Sequence, residues 1–210
     1  FKFWQIHPLF LHHNGQNLFE PWWNKSANYS VKGNKSKRNV YYSLFINDSL
    51  VSSNKTTLKM NGNRTRSFPQ KSFRIMDDSN IQSNIFNEVK SEWIILRNSG
   101  NDWDRTMFSD AYTSSISSEI GLISSKSEPI NVYFNNIYWG LYNSRQRIDE
   151  DFISKTTKIS VDSVVIIESD GIVKHGGDKA KIDFMILQSI ILDDTKNSTN
   201  VIKDYVDIDN

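Results

Sequence analysis

From Val40 onward the apolar residues recur mainly at every second position, and that period confines much of the chain's first half to sheet. Tyr41 to Ile46 alternates as a strand, Asn47-Asp48 supplies a turn, and Thr56 to Met60 follows as the next strand, so a β-meander is expected. Lys71 to Met76 alternates polar with apolar side chains and is expected to pair with its predecessor across the loop 61–70. Trp93 to Arg97 is short and apolar, the pattern of a buried strand, and Ser99-Gly100-Asn101-Asp102 ends it. Behind Pro129, Ile130, Val132 and Phe134 alternate with Asn131, Tyr133 and Asn135. Asn135-Asn136 then turns the chain into Tyr138 to Arg147, since asparagine tolerates positive φ nearly as well as anything but glycine.

Helical spacing interrupts this pattern. Met107, Phe108, Ala111, Tyr112, Ser115, Ile116 and Ile120 predict a helix over about 105–120, closed by Gly121. Short helices are expected near Ile85 to Val89 and after Asp149. Val164 to Ile167 reads as a buried strand, Gly171 to Gly177 as a loop, Asp178 to Leu192 as an apolar helix and Asn197 to Tyr205 as a short one. Residues 1–38 mix aromatics with turn pairs and are expected to be irregular with short strands, which leaves 39–210 as the domain. Strands first, helices later and one helix inserted between sheet strands describe an α+β fold.

Composition limits the partners. With 38% hydrophobic residues, six Trp and twelve Phe, the chain has ample material for a core. The absence of cysteine excludes disulfides and thiolate metal sites. A net charge of +1 argues against nucleic acid or an anionic membrane, so any basic function must be local. No apolar run approaches the roughly 18–20 residues of a spanning helix, so no membrane span is expected. The start at Phe1 and the uncapped end at Tyr205 to Asn210 read as truncation at both ends. Sequons at Asn24, Asn34, Asn54, Asn63 and Asn197 are what a chain rich in Asn, Ser and Lys produces by chance.

The local basic feature runs from Lys59 to Arg74, where a glycine turn and basic side chains lie between two strands. Backbone N–H groups and arginine forks in such a loop can converge on a phosphate while a strand lysine reaches it from the sheet. A solvated basic hairpin fits the same residues, which match neither a Walker A loop nor the kinase G-x-G-x-x-G. Asp102-Trp103-Asp104 is a candidate carboxylate pair for a metal, but its place before a helix favours capping. His7, His12-His13 and His175 lack further ligands at useful spacing. Trp22-Trp23 beside Pro21 suggests sugar stacking, although adjacent residues of an extended segment point to opposite sides.

Four ordered blocks share an unusual composition: Gly62 to Arg74, Trp93 to Asp102, Asn131 to Asn143, and Arg147-Ile148-Asp149. Together they resemble the CotH (spore coat protein H) kinase family of atypical bacterial protein kinases, over about residues 40–210. The resemblance implies a kinase-like fold with an N-terminal antiparallel sheet lobe, an inserted helix and the start of a helical lobe. It also implies ATP bound with magnesium, and phosphoryl transfer to Ser or Thr of coat or surface proteins outside the cytoplasm. Lys71 matches the family's lysine in the Pro-x-Lys-Ser block and would pair with phosphate, with Arg64 and Arg66 in the loop before it. Asp110, at the start of the first long helix, and Gln146 complete the implied nucleotide-binding set. Two departures stand out: Ser109 where the family often has Arg, and Gln146 where it usually has Glu. The family's catalytic aspartate, following asparagine and metal-binding aspartate are expected beyond Asn210, so this polypeptide alone is expected to be inactive. The alternatives are a non-catalytic coat or surface scaffold of the same fold and a sugar-active module around Trp22 and Trp23.

Overall fold

A computed structural model describes residues 6–12, 31, 33–77, 80–168, 171–192 and 202–203. Seven strands close into a barrel: His7–His12 (β1), Arg38–Ile46 (β2), Ser49–Met60 (β3), Phe73–Met76 (β4), Trp93–Arg97 (β5), Ser127–Phe134 (β6) and Ile137–Gln146 (β7). Their order around the barrel is β1-β2-β3-β4-β5-β7-β6. Neighbours are antiparallel except β1 and β6, which run parallel with Leu9 opposite Val132 and Leu11 opposite Phe134. The expected antiparallel lobe is therefore a closed sheet with one parallel seam, made by a strand from the N-terminal segment. Closure leaves no unpaired sheet edge along the seam.

The period of two seen in the sequence sorts side chains to the two faces. Leu9, Tyr42, Leu58, Phe73, Leu96, Val132 and Tyr142 are fully buried and belong to one cluster, one from each strand. Phe73 lies among aromatics, its ring centroid 5.2 Å from Phe134 and 6.0 Å from Tyr142. Both tight hairpins are two-residue turns with positive φ at each centre, Asn47-Asp48 joining β2 to β3 and Asn135-Asn136 joining β6 to β7. That is the backbone that twist-matched hairpins require, and asparagine accepts it at low cost.

Two helices interrupt the barrel strands. Helix α1 spans Asn80–Phe86, and Asp77 caps it by accepting from the N–H groups of Ile81 at 2.9 Å and Gln82 at 3.1 Å. It ends at Asn87, which takes φ 56°, so the helix expected near Ile85 to Val89 lies earlier in the chain. Helix α2 spans Ser109–Glu119; Met107 at φ 54° keeps the preceding turn out of it. Gly121 closes α2 as expected, at φ 84°, with Gly121 N–H donating to Ser118 and Leu122 N–H to Ser117, the Schellman pattern.

Residues 149–210 form a second compact unit. Asp149 caps helix α3, Glu150–Thr157, through the Phe152 N–H at 3.1 Å. Only Ile166–Ile167 (β8) of the expected strand pairs, with Val173–His175 (β9), and Val165 is exposed. The expected apolar helix is α4, Gly177–Leu192. Among the described residues no helix is long and apolar enough to cross a membrane.

Phe73→Ala is expected to cost about 3–5 kcal/mol, because a fully buried ring is removed from a core that several strands share. Chemical denaturation of wild type and variant measures this, and a loss under about 1 kcal/mol would contradict the central place given to Phe73.

Candidate functional site

The loop between β3 and β4 is built before it is charged. Gly62 takes φ 91°, which L side chains rarely adopt, and a Cβ there would come 2.3 Å from the Thr65 hydroxyl, which would have to rotate away. Residues Arg64–Ser67 then form one turn of 3-10 helix. Arg66 donates to the carbonyls of Gly62 at 2.5 Å, Val31 at 2.7 Å and Met60 at 3.3 Å, and its partial burial pulls its pKa down. Its guanidinium thus braces the loop. Arg64 is exposed to solvent. Lys71 is 8% exposed, its ammonium donates to the Phe68 carbonyl, and burial pulls its pKa below the usual lysine value. Arg64, Arg66 and Lys71 therefore lie on one stretch of chain, Arg64 exposed, Arg66 partly buried and Lys71 buried.

Three of the blocks that carried the resemblance interlock at this end of the barrel. Asn98 is fully buried; its side-chain oxygen accepts from the Ser72 hydroxyl at 2.6 Å and the Gly100 N–H at 3.1 Å, and its amide donates to the Gln70 carbonyl at 2.6 Å. The Gln70 amide donates to the Leu141 carbonyl at 2.6 Å, lying over Gly140, where a Cβ would come 3.0 Å from that amide nitrogen. The Tyr142 hydroxyl donates to the Lys71 carbonyl at 2.7 Å, and burial pushes its pKa far up. Asn143 donates to the Ser99 hydroxyl and the Met107 carbonyl, each at 2.8 Å. These residues fix the backbone on both sides of Lys71.

Asp110 lies elsewhere, in a cluster that pins α2 to the outside of the sheet. Its carboxylate is shared by Arg97, at 2.5 Å, and Arg145, and Arg145 also reaches Ser114 at 2.6 Å and Ser125 at 3.1 Å. Asp102 is a cap, as its position implied. It accepts from the Thr106 hydroxyl at 2.6 Å, from the Phe108 and Ser109 N–H groups at 3.1 and 3.2 Å, and from the Ser109 hydroxyl at 3.0 Å. The Thr106 hydroxyl and these donors hold its carboxyl well below the usual carboxylate range.

Gln146 ends β7 opposite Ile94, 1% exposed, and neither amide atom has a hydrogen-bond partner. Phe73 pairs with Leu96 and Leu96 with Ser144, so by register Lys71 stands level with Tyr142, about four residues or roughly 13 Å along the strand from Gln146. No hydrogen bond or ion pair joins Lys71, Asp110 and Gln146 to one another.

The basic stretch from Lys59 to Arg74 gathers further cations across the sheet. Lys59 stands directly opposite Arg74 across β3 and β4, and its pKa is lowered by burial and by the charges of Arg74, Lys37, Arg147 and Arg66. The cross-strand pair follows from register and was readable in the sequence, but Lys37 and Arg147 arrive from distant segments. Among the described residues no three His, Asp or Glu converge as a metal site, and the His175 ring pairs with the Val161 carbonyl at 3.0 Å. His13, Trp22, Trp23, Asn24, Asn197 and Tyr205 to Asn210 lie outside the described residues.

The fold and this interlocked loop define an α+β domain whose distinctive residues gather round a buried lysine. The family described as CotH kinase protein matches residues 58–210, well over half of the chain, and the chain belongs to that family. No curated protein matches it significantly.

Gln146→Leu is expected to leave stability unchanged or raise it by up to about 3 kcal/mol, since it removes an unsatisfied buried amide. Gln146→Glu is expected to destabilise. An unpaired buried carboxyl has a raised pKa in the folded state, so the loss grows as pH rises above the ordinary carboxylate range. Urea denaturation at acidic and neutral pH tests both, and a more stable Glu variant at neutral pH would reveal a cation near Gln146.

Proposed function

We propose that the chain is the nucleotide-binding part of an ATP-dependent protein kinase of CotH type, transferring phosphoryl groups to Ser or Thr of coat or surface proteins outside the cytoplasm. Membership of the family supports the class, and the basic loop held around Lys71 supports the cofactor. Phosphoryl transfer depends on positioning and charge neutralisation more than on covalent chemistry of the protein. In this kinase-like reading Arg64 and Lys71 meet the phosphates, and Arg66 keeps the loop in shape. Asp110 and Gln146 act at one remove, the first by pinning α2 and the second from the barrel interior.

The observation that carries the reading is the concentration of positive charge on one face and its loop. The pKa of Lys59 is lowered first by burial and then by repulsion from Arg74, Lys37, Arg147 and Arg66. A polyphosphate relieves that repulsion, so the residues fit the group. They do not by themselves hold magnesium, which would come bound to the nucleotide. Lys71 must leave the Phe68 carbonyl to reach a phosphate, and its lowered pKa reflects the burial that this exchange would offset with a charged partner. No residue of the chain is assigned as catalytic base. The partnerless Gln146, standing where the family usually has Glu, favours a second reading: a scaffold that keeps the fold and binds without catalysis.

Titration with magnesium–ATP is expected to show binding that Lys71→Ala weakens about tenfold, equivalent to roughly 1.4 kcal/mol, and that Arg64→Ala weakens less. Unchanged affinity in Lys71→Ala would remove the role given to Lys71. Absence of binding in the wild type would favour the scaffold.

Because the pKa of Lys59 is lowered in the folded state, the cost of its charge is fully present near neutral pH and is relieved as pH rises through the lowered value. Lys59→Met is therefore expected to raise the melting temperature at pH 7, with a gain that shrinks toward pH 10 and in high salt. A lower melting temperature at pH 7 would show that Lys59 has a stabilising partner.

A further inference from the structure

Helix α2 buries none of its own residues. It is tied to the sheet through Asp110 and Ser114, which bind Arg97 and Arg145. Toward the segment 124–128 it presents Ala111, Ser114, Ser115 and Ser118, spaced i, i+3, i+4 and i+7, and the two walls enclose a cleft of about 350 Å³. Protein interiors are close-packed, and a helix that only covered a sheet would fill this space with larger side chains. The volume falls at the lower end of the range of small-ligand sites, roughly 300–1,000 Å³.

We propose that this cleft binds a neutral polyhydroxylated ligand, a short sugar. Ser127 contributes to the cleft wall. Ser115, Ser118 and Ser124 line it as well, whereas Ser114 and Ser125 are committed to Arg145. A hydroxyl both donates and accepts, so a wall of serines matches a ligand whose own groups do the same. Phe108 and Tyr112 stand at the cleft 52% and 54% exposed, their rings 5.4 Å apart and tilted by 29°, a platform for the C–H face of a sugar ring.

Charge separates a sugar from the alternatives. Arg145 stands outside the lining, sharing the Asp110 carboxylate with Arg97 and bonded to Ser114 and Ser125, and Lys126 is bound to Glu88 at 3.2 Å and to the Phe86 carbonyl at 3.2 Å. The remaining charged lining residues, Glu119 and Glu128, repel phosphates and carboxylates and accept from hydroxyls. An apolar peptide would need aliphatic walls, and Ala111 is the one aliphatic residue in the lining. The site is separate from the loop of Lys71, and the proposal does not depend on nucleotide binding.

Calorimetric titration of the whole chain with maltose, cellobiose and N,N′-diacetylchitobiose tests it. At least one is expected to bind with a Kd at or below about 1 mM. Ser118→Leu, which fills the cleft from an exposed helix, is expected to weaken that sugar about tenfold or more with an unchanged circular-dichroism melt, and Tyr112→Ala about threefold. Should Ser118→Leu melt early, Ser115→Leu with Tyr112→Ala decides. Lys71→Ala is expected to leave sugar binding intact. Failure of all three sugars to bind the wild type overturns the proposal. So does undiminished binding in folded leucine variants, or displacement of the sugar by phosphate or an oligolysine peptide.

Discussion

The buried carboxamide of Asn98 is the interaction on which this end of the barrel depends. A single side chain bonds the Ser72 hydroxyl, the Gln70 carbonyl and the Gly100 N–H, so it holds the entry to β4 against the exit from β5. Each bond is ordinary alone, about 1 kcal/mol net. Their joint effect is geometric: with Tyr142 holding the Lys71 carbonyl, the backbone on either side of the lysine has one arrangement. An interior network with every member satisfied rigidifies, and a half-satisfied one is costly. Asn98 and Gln146 illustrate both cases within one barrel.

That contrast gives the family's motif residues a physical meaning. Most of those in the Gln70–Arg74, Arg97–Asp102 and Gly140–Asn143 stretches are engaged with one another or with backbone, and so serve to position. Gly140 and Gly62 both take positive φ, and the side chains of Gln70 and Thr65 lie close over them. A motif dominated by such residues specifies a loop shape. The side chains left for chemistry are then few, which is why Lys71 and Arg64 carry so much of the functional reading.

The sequence reveals the fold wherever period and turn chemistry are local. The alternation from Val40, the Asn-rich hairpins, Gly121 after α2 and the short helix after Asp149 all needed only near neighbours in the chain. The parallel pairing of β1 with β6 did not show, because a six-residue strand followed by a long connection offers no periodic signal of its partner. Val164 to Ile167 misled for the converse reason: an apolar run looks like a buried strand by composition, yet Val165 faces solvent and only two residues pair. At the site, Asp102 as a cap followed from its place before a helix. Asp110 between Arg97 and Arg145 did not, since those partners meet through tertiary folding.

The site carries a tension that the barrel makes tolerable. Lys59 opposite Arg74 is an unfavourable cross-strand pair, since like charges directly opposed destabilise a sheet. Arg66 and Lys71 are held partly or largely out of water on backbone carbonyls, with lowered pKa values. A hairpin alone would not keep so many cations in place. Here the same strands continue into a core of Leu58, Phe73, Ile75 and Leu96, whose burial at about 25 cal/mol per Å² of apolar surface far exceeds the repulsion between partly solvated charges. The apolar face of β3 and β4 thus sustains a strained cationic face a single residue away.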